Sequence, residues 1–223
     1  SDYDGALPYS EALARSLNVP FVHILSKHGV PKFHSFLKQV GMNSLHYGPD
    51  HYGLSLILGG AEASLWDLTG IYASMARTLQ SYSRYSGQYD PNAFHAPNYY
   101  IDKRIFPLPY QEREQLQDNA LVNAGAIWHT LESMVDVARP GEEGYWRSFT
   151  SSGKVAWKTG TSFGFRDAWA IGCTPKYVVG VWVGNASGEG RPGLIGVATA
   201  APILFDAFSV LGTSDSWFEM PYD

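Results

Sequence analysis

Two groups of residues in this chain have types and spacing suited to chemistry. The first is Lys158-Thr159-Gly160 followed by Thr161. The lysine is a point cation on a flexible stem. The Thr159 hydroxyl can bond a carboxylate, and the glycine clears a side chain where a ligand must approach the backbone. On a strand edge these residues form a site for a carboxylate. The second group is Ser16-x-Asn18. A serine and an amide two residues apart at a helix end can face one cleft. Two arrangements fit the pair taken alone: both side chains enter a cleft, or Asn18 caps the helix and Ser16 is solvated.

The elements that must carry these groups follow from pattern. Val155, Trp157 and Thr159 alternate with Lys154, Ala156 and Lys158, the period of a half-buried strand. The pattern predicts an antiparallel meander of strands 154–161, 167–173 and 176–184, with Lys158 on an edge strand. Helices are predicted over 8–18, 20–28 and 31–40, with Pro20 pushing Val19 out of the helical region. Residues 42–62 read as a Gly-rich connector, and Ser64 caps a helix over 64–80. Residues 81–110 read as a surface excursion. A helix over 119–138 is broken by Pro140 to Gly144, and a closing helix over 198–211 has Pro202 in its first turn. Helices, then strands, then a helix give an α+β chain with an antiparallel sheet flanked by helices. One unit over 1–223 is expected, helical over about 8–150, with the sheet and closing helix over about 151–223.

Composition narrows the function. The chain has 223 residues, 45% of them hydrophobic and 17% charged, as expected of a folded globular protein. Its net charge of -5, without a basic run, argues against nucleic acid as a partner. The seven histidines form no H-E-x-x-H or Cys/His cluster, and no metal or other cofactor is expected. The single Cys173 excludes an internal disulfide and reads as a buried small hydrophobe. No stretch reaches the roughly 18 apolar residues of a membrane span. The opening Ser1-Asp2-Tyr3-Asp4 reads as the middle of a longer protein.

Wider stretches carry a resemblance. Ser10-Glu11-Ala12-Leu13-Ala14-Arg15-Ser16-Leu17-Asn18-Val19-Pro20 resembles the S-x-N segment of class A penicillin-binding proteins. Leu58 to Leu68 and the helix through Tyr72 and Ala73 resemble the segment that follows it. Lys158 to Trp169 is similar to the 1C branch of that family, and Lys-Thr-Gly is the family's third motif. The resemblance covers nearly the whole chain and is weakest over 81–118.

The resemblance implies a serine D,D-peptidase/β-lactamase-like fold. It also implies D,D-transpeptidase activity that cross-links peptidoglycan stem peptides through an acyl-serine and is the target of β-lactams. Ser16, Asn18 and Lys158 would be catalytic, with Thr159, Gly160 and Thr161 binding substrate. An upstream glycosyltransferase domain and a membrane anchor are implied for the parent protein, on the extracytoplasmic, periplasmic side of the bacterial inner membrane. One departure stands out: the family's S-x-x-K nucleophile precedes S-x-N, and nothing before Ser16 fits it. Ser35-Phe36-Leu37-Lys38 and Ser151-Ser152-Gly153-Lys154 both follow Ser16 and are read as coincidental. This chain is therefore expected to lack the nucleophile and the family's first strands, and to be inactive alone. The alternative is a non-catalytic ligand-binding or interaction domain of the same fold. A rival nucleophile elbow at Gly160-Thr161-Ser162-Phe163-Gly164 fails, because a strand follows it and no histidine lies after Ser162.

Overall fold

The computed structural model describes residues 5–99, 115–138, 153–212 and 216–222. Strands β1 (Ala156–Thr161), β2 (Asp167–Cys173) and β3 (Val178–Gly184) form an antiparallel sheet in the order β1-β2-β3. Ala156 lies opposite Cys173 and Thr161 opposite Ala168. β1 is thus an edge strand of the described sheet.

Helices cover both faces of this sheet. On one face, Ala156 and Cys173 join a core built with α5 (Leu65–Arg84) and α6 (Ala124–Val135) through Ala76, Leu79, Ile127 and Leu131. On the other, Val155, Trp157, Ala168 and Ala170 pack on Ala200, Ala201, Leu204 and Phe208 of α7 (Gly196–Leu211). The small residues of β2 let α7 approach closely. A Cβ on Gly172 would lie 2.6 Å from the Phe208 ring. The expected half-buried alternation of β1 is therefore replaced by burial of Val155, Ala156 and Trp157 in succession. The Trp157 indole N–H donates to the Val137 carbonyl at 3.1 Å, which satisfies its buried polar atom and ties β1 to the end of α6.

The N-terminal helices make a separate cluster. Helices α1 (Tyr9–Ala14), α2 (Asn18–His28) and α3 (Val30–Gln39) come first. The expected connector 42–62 instead contains α4 (Pro49–Tyr52) and a 3-10 helix, Gly53–Leu58. Leu25, Leu45, Tyr52 and Leu56 form the small core of this region. His34 is buried there with a ring nitrogen bonded to the Tyr47 carbonyl at 3.0 Å. α1 stands apart from that cluster and packs on α6 instead.

Boundaries differ from expectation where proline was weighed too heavily. α2 begins at Asn18 and takes in Val19 and Pro20, because a first-turn proline lacks only an N–H that would have no helical partner. Pro202 lies inside α7 rather than in its first turn. Ser64 caps α5 as expected, accepting from the Asp67 N–H at 2.9 Å, and α5 runs on to Arg84. α6 is shorter than expected and starts after Asn123, whose side chain accepts from the Ala126 N–H at 2.7 Å. The breaker Pro140 to Gly144, Ser151, and 100–110 of the excursion lie outside the described residues.

Candidate active site

Ser16 and Lys158 are 142 residues apart in sequence and meet in space: the Lys158 ammonium donates to the Ser16 hydroxyl oxygen. It also donates to the Thr159 carbonyl at 3.0 Å. Burial pushes the Lys158 pKa below the usual lysine value of 10.5. The pair therefore joins a hydroxyl to an amine that gives up its proton more readily than a solvated lysine does. Such a pair can pass a proton.

The backbone presents Ser16 in an unusual way. α1 ends in a paired closure, with the Ser16 N–H donating to the Leu13 carbonyl at 3.1 Å and the Leu17 N–H to the Ala12 carbonyl at 2.9 Å. This is the Schellman pattern, in which the residue after the cap turns left-handed and is usually glycine. Here that residue is Ser16, with φ of 55°. A residue with a Cβ costs about 1 kcal/mol or more in that conformation. The turn thus holds a hydroxyl where its own geometry favours no side chain. The turn is anchored by Ala12, which is buried, and by Leu13, which packs against the α5–α6 core.

Asn18 is the first residue of α2 and caps neither neighbouring helix; the cap of α2 is Leu17. Its exposed side chain makes no hydrogen bond among the described residues. Strand alternation separates the remaining residues. Lys158 and Gly160 share the face toward α1 and α6, while Thr159 and Thr161 share the face toward α7. Thr161 Oγ1 accepts from the Gly196 N–H at 3.0 Å. A Cβ on Gly160 would make only ordinary contact, 3.7 Å from the Trp169 Cβ, so packing does not demand glycine there. Gly196 escaped the sequence reading, which starts the closing helix at 198; its one signal is a glycine directly before the run Val197-Ala198-Thr199-Ala200-Ala201.

The rival serines have other employment. Ser162 Oγ accepts from the Asp167 N–H at 2.9 Å, and its own N–H donates to the Asp167 carbonyl at 2.9 Å, closing the β1–β2 turn. Ser35 lies within α3 and accepts from Gln39 Nε2 at 3.2 Å, while α3 packs on α2, α4 and the 3-10 helix. Two cavities of about 290 Å³ each lie along α5, one lined by Trp66, Arg77 and Tyr177, the other by Lys38, Asp67 and His95. None of the six predicted site residues lines either one. Among the described residues no cluster of His, Cys, Asp or Glu could hold a metal ion, and no helix is long and apolar enough to cross a membrane.

Comparison with known proteins places this geometry in context. No protein-family model matches the chain. It is 34% identical over 211 residues to penicillin-binding protein 1C of Escherichia coli, covering 95% of this chain and 24% of that protein. The chain therefore spans about a quarter of that relative's length. Its fold matches the crystal structure of penicillin-binding protein 1A from Haemophilus influenzae with a TM-score of 0.65 at 18% identity, over 100% of this chain and 37% of the other. It also matches the D,D-transpeptidase domain of a peptidoglycan glycosyltransferase from Eggerthella lenta with a TM-score of 0.55 at 18% identity, over 95% and 55%.

Proposed function

From a chain that is a homologue of the class A penicillin-binding proteins and has the fold of their transpeptidase domain, we propose that it forms the proton-relay and carboxylate-recognition half of a D,D-transpeptidase site. The observation that carries this reading is the Lys158–Ser16 hydrogen bond, which joins the two motifs across the fold. The acylated serine belongs to an S-x-x-K segment preceding Ser16 in a longer protein. Its oxygen attacks the D-Ala-D-Ala carbonyl of a peptidoglycan stem peptide, D-Ala leaves as the amine, and an amine of a second stem takes the acyl group. Ser16 relays the proton to the leaving amine, and Lys158 tunes Ser16 and attracts the terminal carboxylate. Asn18 bonds the substrate amide. Thr159 and Thr161 bond the carboxylate, Gly160 leaves room for it, and the Thr161 N–H is one oxyanion donor. β-Lactams occupy the same site. The longer protein carries a glycosyltransferase domain and a membrane anchor, and works on the periplasmic side of the membrane.

These 223 residues are one unit of that domain and form no penicilloyl adduct alone. Purified chain treated with fluorescent penicillin should show no covalent label by gel and mass spectrometry, whereas the longer protein should be labelled at the S-x-x-K serine. A label on Ser35 or Ser151 would overturn the assignment of motifs. A longer reading frame without S-x-x-K before Ser16 would favour a non-catalytic binding domain.

A further inference from the structure

α7 starts without a side-chain cap of its own. Ile195 occupies the capping position and offers no acceptor, so the first N–H groups of α7 need partners from elsewhere. Thr161 supplies one, accepting from the Gly196 N–H at 3.0 Å. This contact exists because Gly196 has no side chain. A Cβ there would lie 2.5 Å from the Gly160 carbonyl oxygen, 2.8 Å from the Trp169 carbonyl oxygen and 3.1 Å from the Thr159 Cβ. The first two are backbone atoms of β1 and β2 and cannot move aside as a flexible side chain would. Gly196 has no positive φ to explain it. Its glycine is explained by the close approach of α7 to the strand that carries Lys158, Thr159, Gly160 and Thr161.

We propose that Gly196 is a positioning residue for substrate-carboxylate recognition, acting through Thr161; the inference rests on the D,D-transpeptidase reading above. A hydroxyl has one hydrogen to donate and lone pairs to accept with. The Gly196 N–H occupies a lone pair of Thr161 Oγ1 and cannot accept in return. It holds the oxygen at the strand edge and leaves the hydroxyl hydrogen for an anionic acceptor. Without that hold, the Thr161 side chain is free to leave the rotamer in which it can donate to a ligand. Thr161 would thus do two jobs with one oxygen: it seats the start of α7 and presents a donor to the carboxylate.

The test uses the purified chain, labelled with ¹⁵N, and two probes: an N-acyl-D-Ala-D-Ala peptide and its C-terminal amide. Wild type should bind the carboxylate form more tightly than the amide. Gly196→Ala and Thr161→Val should each weaken carboxylate binding by about tenfold, the size expected for one hydrogen bond to a charged group, and should weaken amide binding less, so that the preference for the carboxylate shrinks. The double variant should fall no further, and Thr161→Ser should keep the preference. The Gly196 amide should be protected from hydrogen exchange in wild type and Thr161→Ser, and exposed in Thr161→Val.

Three results would overturn the inference: folded Gly196→Ala that keeps the carboxylate preference, losses that add in the double variant, or Gly196 protection that survives Thr161→Val. If Gly196→Ala does not fold, the exchange measurement on Thr161→Val decides. A wild type that does not distinguish carboxylate from amide would instead remove the D,D-transpeptidase reading, and the inference with it. Loss of preference in Thr161→Val but not in Gly196→Ala would leave that reading standing and remove only the role of Gly196.

Discussion

Lys158 and Ser16 meet at one point but are held there in different ways. Lys158 rides on a strand with helices on both faces, next to the fully buried Trp157. Its position follows from many apolar contacts made far from the site. Ser16 sits in a short turn between α1 and α2, exposed, with a left-handed backbone. Its position follows from two main-chain hydrogen bonds and the seating of Ala12 and Leu13. One half of the site is held by core packing and the other by turn geometry. Changes to the two halves should therefore separate stability from function in opposite senses.

The largest effect is expected on the strand side. Trp157→Ala removes a fully buried indole, its bond to Val137 and its edge contact with Phe205. It should lower the unfolding free energy by about 3–5 kcal/mol, read as a fall in urea midpoint. A loss well below that, with the Lys158–Ser16 contact kept, would show that the strand is not positioned by its core.

A smaller effect of opposite sign is expected at the turn. Ser16→Gly relieves the left-handed strain but gives the unfolded chain more freedom, so stability should rise by no more than about 1 kcal/mol. Ser16→Ala keeps the strain and should lie below Ser16→Gly in a thermal melt. Both remove the hydroxyl that Lys158 contacts. If Ser16→Gly instead lost more than about 1 kcal/mol, the hydroxyl–ammonium bond would outweigh the turn strain, and the contrast between the halves would fail.

The smallest effect is in pH. Burial lowers the folded-state pKa of Lys158 below 10.5. Below the lowered value the ammonium is protonated in both states and the full cost of burying its charge is present. Between the lowered value and 10.5 the unfolded chain binds more protons than the folded one, so this group's contribution to stability rises with pH. Above 10.5 the cost is gone. Wild type should therefore gain on Lys158→Met as pH rises through that window, compared by urea midpoint. The comparison with the variant matters because burial pushes the Cys173 thiol up to about 12 and raises the Tyr72 hydroxyl, and both act in the opposite direction. A flat difference would mean that the lysine is effectively solvated.

The sheet was the most legible part of the chain. Strand 167–173 was expected and is found there, because its apolar run is bounded by a glycine turn and by Pro175. Burial on both faces of β1 was not legible: alternation tells which side chains share a face, and the partners that cover each face lie far away in sequence. The S-x-N and K-T-G groups could be recognised by type and order, but not the device that presents Ser16. The left-handed turn is usually announced by glycine, and here Ser16 takes glycine's place. Nor was the Thr161–Gly196 bond legible, since a helix capped from a neighbouring strand leaves no capping residue at its own start. Proline misled at both Pro20 and Pro202, because its effect depends on where a helix begins.

Cys173 gives the sheet a clock. It is the chain's single thiol, fully buried opposite Ala156, where the strand that leads to Lys158 begins. An alkylating reagent needs the thiolate and access to it, and burial denies both. Labelling must wait for the meander to part from α5 and α6. The α1–α2 turn is seated on α6, on which α1 packs, and its fraying leaves the pairing of β2 with β1 and β3 around that sulfur in place. The rate of alkylation therefore times the opening of the strand half of the site alone, and fraying at Ser16 leaves it unchanged.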